Sequence, residues 1–197
     1  TAEDRTNYYI DVPTNALELA LFLESDRMAY LLDAMSRETV DAQRDVVKNE
    51  RRQGVENAPY GMASIEIAEL LYPKGHPYRW PVIGYMEDLT AASYEDVVDF
   101  FRTYYQPANA SLVIAGDIDI PRTKALVEKW FNEIPRGAEV EPIAPPAAIL
   151  AEVKKKTLTD RVALQRLYLA WLTPRMYAPG DAALDMVSSV LAGGKNS

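Results

Sequence analysis

Polar and apolar side chains alternate through residues 5–12, with Thr6, Tyr8, Ile10 and Val12 set against Arg5, Asn7, Tyr9 and Asp11. A two-residue period predicts a half-buried strand, which Pro13 ends. From Thr14 the period lengthens. Leu17, Ala20, Leu21, Met28 and Leu31 are spaced along one face of a helix for which Thr14 is available as N-cap. Ser36 caps a second predicted helix, from about Arg37 into the low 50s, where Gly54 and Pro59 loosen or stop it. A third helix is expected over roughly Met62 to Leu71. The proline- and glycine-bearing run "YPKGHPYRWPVIGY" follows as an extended surface loop. A fourth helix spans Ser93 to Tyr105 and stops at Pro107. "ASLVIAGDID" then predicts a short buried strand ending at Gly116, and Pro121 opens a fifth helix that ends near Glu133.

Strand, helices, strand and helix in that order predict an α+β fold with helices packed on one face of a mixed or antiparallel sheet. The run "PRGAEVEPIAPPAAILA" breaks the pattern with four prolines and little periodicity, as an inter-domain linker does. Beyond it, "EVKKKTLT" and "VALQRLYLAWLTP" have the character of strands and "GDAALDMVSSVLAGG" that of a helix, but fewer than 50 residues remain to build a core. The expected division is a first domain over residues 1–137, a linker over 138–151 and the beginning of a second domain over 152–197.

Composition narrows the function. The chain has 197 residues, 48% of them hydrophobic, enough for a substantial core. A net charge of -8 opposes a nucleic acid as main partner, because that affinity comes largely from Lys and Arg displacing counterions. No run is apolar and long enough to span a bilayer. There is no cysteine, which excludes disulfides and thiolate metal sites. The sequence starts at Thr1 in strand-like character without an initiator Met, so the expectation is a piece of a longer protein.

The candidate chemistry centres on the second helix, in "QRDVVKNERRQ". Gln43, Val47 and Glu50 are spaced i, i+4 and i+7, so they stack on one helix face with Val46 beside them. A carboxylate on a partly apolar face calls for a partner. Arg51 or another local cation would supply one, and so would a metal ion; spacing alone favours the surface pair. His76 is the single histidine, so no two-histidine metal site exists within the chain, and its loop setting beside Pro77 assigns it no catalytic role. "LAGGKNS" fails as a phosphate loop, since Ser189 and Asn196 stand where Gly and Ser/Thr are required. Asp117 and Asp119 lack the remaining positions of a calcium loop and fit turn chemistry. Asn109-Ala110-Ser111 forms a glycosylation sequon, a tripeptide common by chance.

Taken together, "EDRTNYYIDVP", "LELALFLESDRM", "QRDVVKNERRQ", "HPYRWPVIGYMEDL", "FFRTYYQPANASLVIAGDID" and "GGKNS" resemble, in order, the pitrilysin/insulinase family of zinc metallopeptidases, close to its bacterial mitochondrial-processing-peptidase-like members. The resemblance implies two similar α+β domains closing on an unfolded peptide. It also implies an inverted H-x-x-E-H motif supplying two histidine ligands and a general-base glutamate, and a third zinc ligand from a downstream helical glutamate. That last residue matches Glu50. Where the family often has a second glutamate seven residues earlier, this chain has Gln43, able to hydrogen-bond a ligand without adding charge. The H-x-x-E-H motif would lie upstream of Thr1, so no catalytic residue is expected within the chain, and no zinc bound by these 197 residues alone. The implied activity of the parent is zinc-dependent hydrolysis of oligopeptides or unfolded segments, in which zinc acidifies a bound water and polarises the scissile carbonyl. Alternatives of the same fold are a non-catalytic partner subunit and a peptide-binding module; a homodimer or homologous partner is compatible with each. The resemblance to bacterial members implies a location in a bacterial periplasm or cytoplasm, and the absence of cysteine permits either.

Overall fold

The computed structural model describes residues 1–193. Among them, seven α-helices carry the regular structure: α1 (Leu17–Tyr30), α2 (Arg37–Arg51), α3 (Ala63–Leu71), α4 (Met86–Ala91), α5 (Tyr94–Tyr104), α6 (Ile120–Phe131) and α7 (Asp181–Ala192). The expected sheet is not formed. No strand is present among the described residues, so the α+β class is corrected to a helical architecture joined by long irregular segments.

The physical reason lies in what a strand requires. A helix satisfies its N–H and C=O groups within itself, whereas a strand needs a neighbour beside it. The four segments with strand-like patterns, residues 5–12, 111–116, 152–159 and 162–174, have no such neighbour among the described residues, and their apolar side chains face solvent: Val113 and Leu167 are each 84% exposed. The segment at 5–12 is held at one point instead. Tyr8 donates its hydroxyl to the Tyr105 hydroxyl at 3.3 Å, and the Arg27 guanidinium lies 3.5 Å from the centre of its ring.

The chain divides into two compact units. The first comprises Thr1–Gly54 and Val82–Ala144, and the second Val55–Pro81 and Pro145–Ser197. In the first, α1 packs on α6, and α2 packs on α4 and α5. Leu21, 3% exposed, Val40 and Val98 form its buried apolar centre. Between α1 and α6, Phe22 meets Trp130 edge-on at 5.1 Å and Lys129 pairs with Glu18 at 2.6 Å. Both α2 and α5 begin in capping boxes, Ser36 with Thr39 and Ser93 with Asp96. Arg37 pairs with Glu95, linking the two helix starts. Thr14 does not cap α1: it opens a 3₁₀ turn (Thr14–Ala16), and α1 starts at Leu17 behind Ala16. The helix α4 had no counterpart in the sequence pattern, being six residues long and preceded by a proline- and glycine-rich run.

At the end of this unit Gln106 acts as a side-chain clamp. Its amide nitrogen donates to the carbonyls of Thr103 at 2.8 Å and Ala138 at 2.7 Å, and its amide oxygen accepts from the Ala138 N–H at 3.0 Å. The intervening Gly137 has φ 78°, and a Cβ there would stand 1.8 Å from the Gln106 Oε1. Only glycine fits.

The second unit contains α3, a 3₁₀ turn (Pro77–Arg79), α7 and the irregular chain of the 150s to 170s. His76 belongs here. It does not lie on the surface of its loop: it is 8% exposed, 4.5 Å from the Tyr72 ring and 5.3 Å from the Tyr78 ring, and its Nδ1 accepts the Tyr78 N–H at 3.1 Å, capping the turn.

Candidate functional site

Helix α2 forms because Ser36 and Thr39 satisfy its first orphan donors and because the run from Arg37 to Arg51 contains neither glycine nor proline. It passes at Arg52 into a π-type turn (Arg52–Glu56) that contains Gly54. Glu50 thus stands on the last turn of the regular helix, two turns beyond Gln43 and about 10 Å along the axis at 1.5 Å per residue.

Two arginines set how this face is presented. Arg44 donates to the Ala92 carbonyl, just after α4, and to Asp41 on its own helix. Arg51, 5% exposed, donates to the Gly84 carbonyl at 2.5 Å, just before α4. Seven residues apart, the pair brackets α4 at both ends. This was not anticipated, although the i, i+7 spacing of two arginines was the available signal. The local cation offered in the sequence as a surface partner for Glu50 is therefore turned inward to a backbone carbonyl. Glu50 itself is exposed, and among the described residues no hydrogen bond or ion pair engages its carboxylate.

Gln43 and Val47 border an apolar recess of about 480 Å³, enclosed by Leu31 and Met35 after α1, Val40 of α2, Leu89 of α4, and Val97 and Phe101 of α5. The recess belongs to the first unit, is almost wholly hydrocarbon, and does not include Glu50. Gln43 brings an amide to its rim.

The other candidates have local roles. Asp119 caps α6, accepting the Arg122 N–H at 2.8 Å, while Asp117 is exposed. The Asn109 side-chain amide donates to the Tyr104 carbonyl at 2.9 Å, at the end of α5. Residues 194–197 of the "LAGGKNS" run lie outside the described residues. Zinc takes at least three protein donors, and among the described residues no group of three or more His, Cys, Asp or Glu side chains is placed to hold a metal. Glu50 is a single exposed carboxylate, and no such group forms around it among the described residues.

Residues 91–197 match the family model described as the Peptidase M16 inactive domain. This chain belongs to the M16, or pitrilysin, family of peptidases. Among its relatives, the zinc protease PqqE of Helicobacter pylori is 30% identical over 203 residues, covering 100% of this chain and 44% of that protein. A Mycobacterium leprae protein named as a zinc protease is 29% identical over 199 residues, again with 100% and 44% covered. A solved structure of a protease from Helicobacter pylori superposes with a TM-score of 0.60 at 28% identity, over 70% of this chain and 32% of that one. The chain therefore spans less than half the length of the relatives it matches. No helix among the described residues is long and apolar enough to cross a membrane.

Proposed function

We propose that this chain is part of a zinc-dependent endopeptidase acting on oligopeptides or unfolded segments, and that it contributes one carboxylate, Glu50, to a metal site whose histidines and general base come from outside these 197 residues. The observation that carries the proposal is the state of Glu50: an exposed carboxylate without a protein partner among the described residues, on a helix whose neighbouring arginine is committed elsewhere. Gln43, two turns back on the same face, is proposed to support an adjacent ligand by hydrogen bonding and not to hold metal. Residues 1–137 would then belong to the metal-bearing domain, 138–151 to a linker and 152–197 to the start of a second domain. A homologous partner subunit or a second copy is compatible with this assignment.

The family description itself supports a second role, non-catalytic, for residues 91–197. The two fit one protein if the first hundred residues help build the metal site and the remainder does not. The test is the full-length protein with Glu50→Gln. Wild-type protein cleaves an unstructured peptide and stops when a chelator is added. The variant keeps its fold but loses zinc, measured by elemental analysis, and loses kcat/KM by at least roughly 10–100-fold, the range seen when even supporting groups of a metal site are removed. Full zinc content and undiminished cleavage in the variant would remove Glu50 from the site; intact peptide with wild-type protein would leave a binding module or partner subunit.

A further inference from the structure

Within the second unit, residues 154–166 have no helix or strand and run past α3 in the opposite direction. The Lys154 ammonium donates to the Leu70 carbonyl at 2.7 Å, at the C-terminal end of the helix, where a cation is favoured. Lys156 pairs with Glu66, one turn nearer the start of α3. Beyond that start, the Tyr60 N–H donates to Asp160 Oδ2 at 2.8 Å and the Tyr60 hydroxyl donates to the Leu164 carbonyl at 2.6 Å. The Arg166 guanidinium lies 3.8 Å from the centre of the Tyr60 ring.

These attachments are an ion pair, hydrogen bonds and a cation–ring contact, while Leu158 and Leu164 of the same stretch remain exposed. A segment held without buried hydrocarbon depends on terms that water and salt weaken. Tyr60 adds a second sign of a held conformation: its φ is 61°, a left-handed backbone that an aromatic residue seldom adopts. The Asp160 carboxylate that receives its N–H is on the segment itself.

We propose that residues 154–166 are a salt-releasable strap across α3, latched at Tyr60. In the docked state Lys154 and Lys156 lie along the helix and Tyr60 is held left-handed. In the released state the lysines are solvated, Tyr60 relaxes, and the chain leading from the 140s into α7 moves free of α3. The device is independent of any role of Glu50.

Hydrogen–deuterium exchange on the whole chain tests it, at about 10 mM and about 1 M NaCl, between which the screening length falls from roughly 30 Å to 3 Å. Uptake over 154–166 should rise roughly two- to fivefold at high salt, as expected for loss of one exposed ion pair, with α2 unchanged. Glu66→Gln on the helix and Lys156→Gln on the strap should each raise low-salt uptake there and flatten the salt response, and the double variant should add little. Tyr60→Phe should loosen 160–166 while leaving the lysine end docked. Salt-independent uptake, a rise shared with α2, or single variants indistinguishable from wild type would overturn the strap.

Discussion

Helix α2 and the run from Val162 to Leu172 make opposite use of their side chains. The first has strongly polar composition yet is regular from Ser36 to Arg51, closed at its start by a capping box and fastened to either end of α4 by Arg44 and Arg51. The second is rich in Leu, Tyr and Trp yet irregular, with Leu164, Leu167, Leu169 and Trp171 in solvent. Hydrophobicity therefore does not decide which segment forms regular secondary structure here. What decides is whether backbone groups find partners: α2 finds them within four residues of itself, and a strand finds them only in another strand.

Substitutions measure that contrast. The largest effect within the chain is expected for Leu21→Ala, which empties a nearly closed position on α1 and should lower unfolding free energy by roughly 2–5 kcal/mol in a denaturant titration. Gly137→Ala follows: it forces a Cβ onto Gln106 and into a left-handed backbone, at a cost of about 1–2 kcal/mol before the lost clamp is counted. Ser93→Ala removes the acceptor that opens α5 and should cost about 1 kcal/mol, read as a lower melting temperature. Leu167→Ala, in the exposed run, should fall within about 0.5 kcal/mol of wild type. A cost there as large as that of Leu21→Ala would mean that this run is packed and would erase the contrast.

The same capping box sets a pH dependence. The N–H and hydroxyl of Ser93 both bond the Asp96 carboxylate and hold its pKa below the ordinary value of 3.8. A carboxyl depressed in the folded state stabilises above its unfolded pKa and loses that contribution as pH falls through the folded one. The start of α5 should therefore fray as pH drops below about 3.8, seen as increased exchange of its first amides, and Asp96→Asn should flatten that dependence.

Legibility in the sequence followed the same division. Ser36, Ser93 and the proline and glycine breaks placed α2, α3, α5, α6 and α7 to within a few residues, because caps and apolar spacing act over one or two turns. The alternation at 5–12 and the apolar run at 111–116 specified side-chain faces but not a neighbour, and the sheet they implied is not formed. His76 carried no signal of burial, since its stacking partners Tyr72 and Tyr78 meet it through loop geometry. For Glu50, spacing identified the helix face but favoured a surface ion pair; the family resemblance raised the metal assignment, and the inward turn of Arg51 removes the nearest competitor for that carboxylate.

Arg44 and Arg51 carry one more implication. Pinned to carbonyls on either side of α4, they index the rotation of α2 as two dowels fix the angle of a shaft. Each residue along a helix is turned about 100° from the last, so securing position 51 also sets the azimuth of position 50. In the metal site proposed above, the ion would approach the Glu50 backbone position along the bearing these arginines set. Arg51→Lys, which keeps the charge but trades a planar fork for a single flexible ammonium, would then lower the zinc content of the full-length protein if Glu50 holds metal as proposed, without changing the proposed ligand itself.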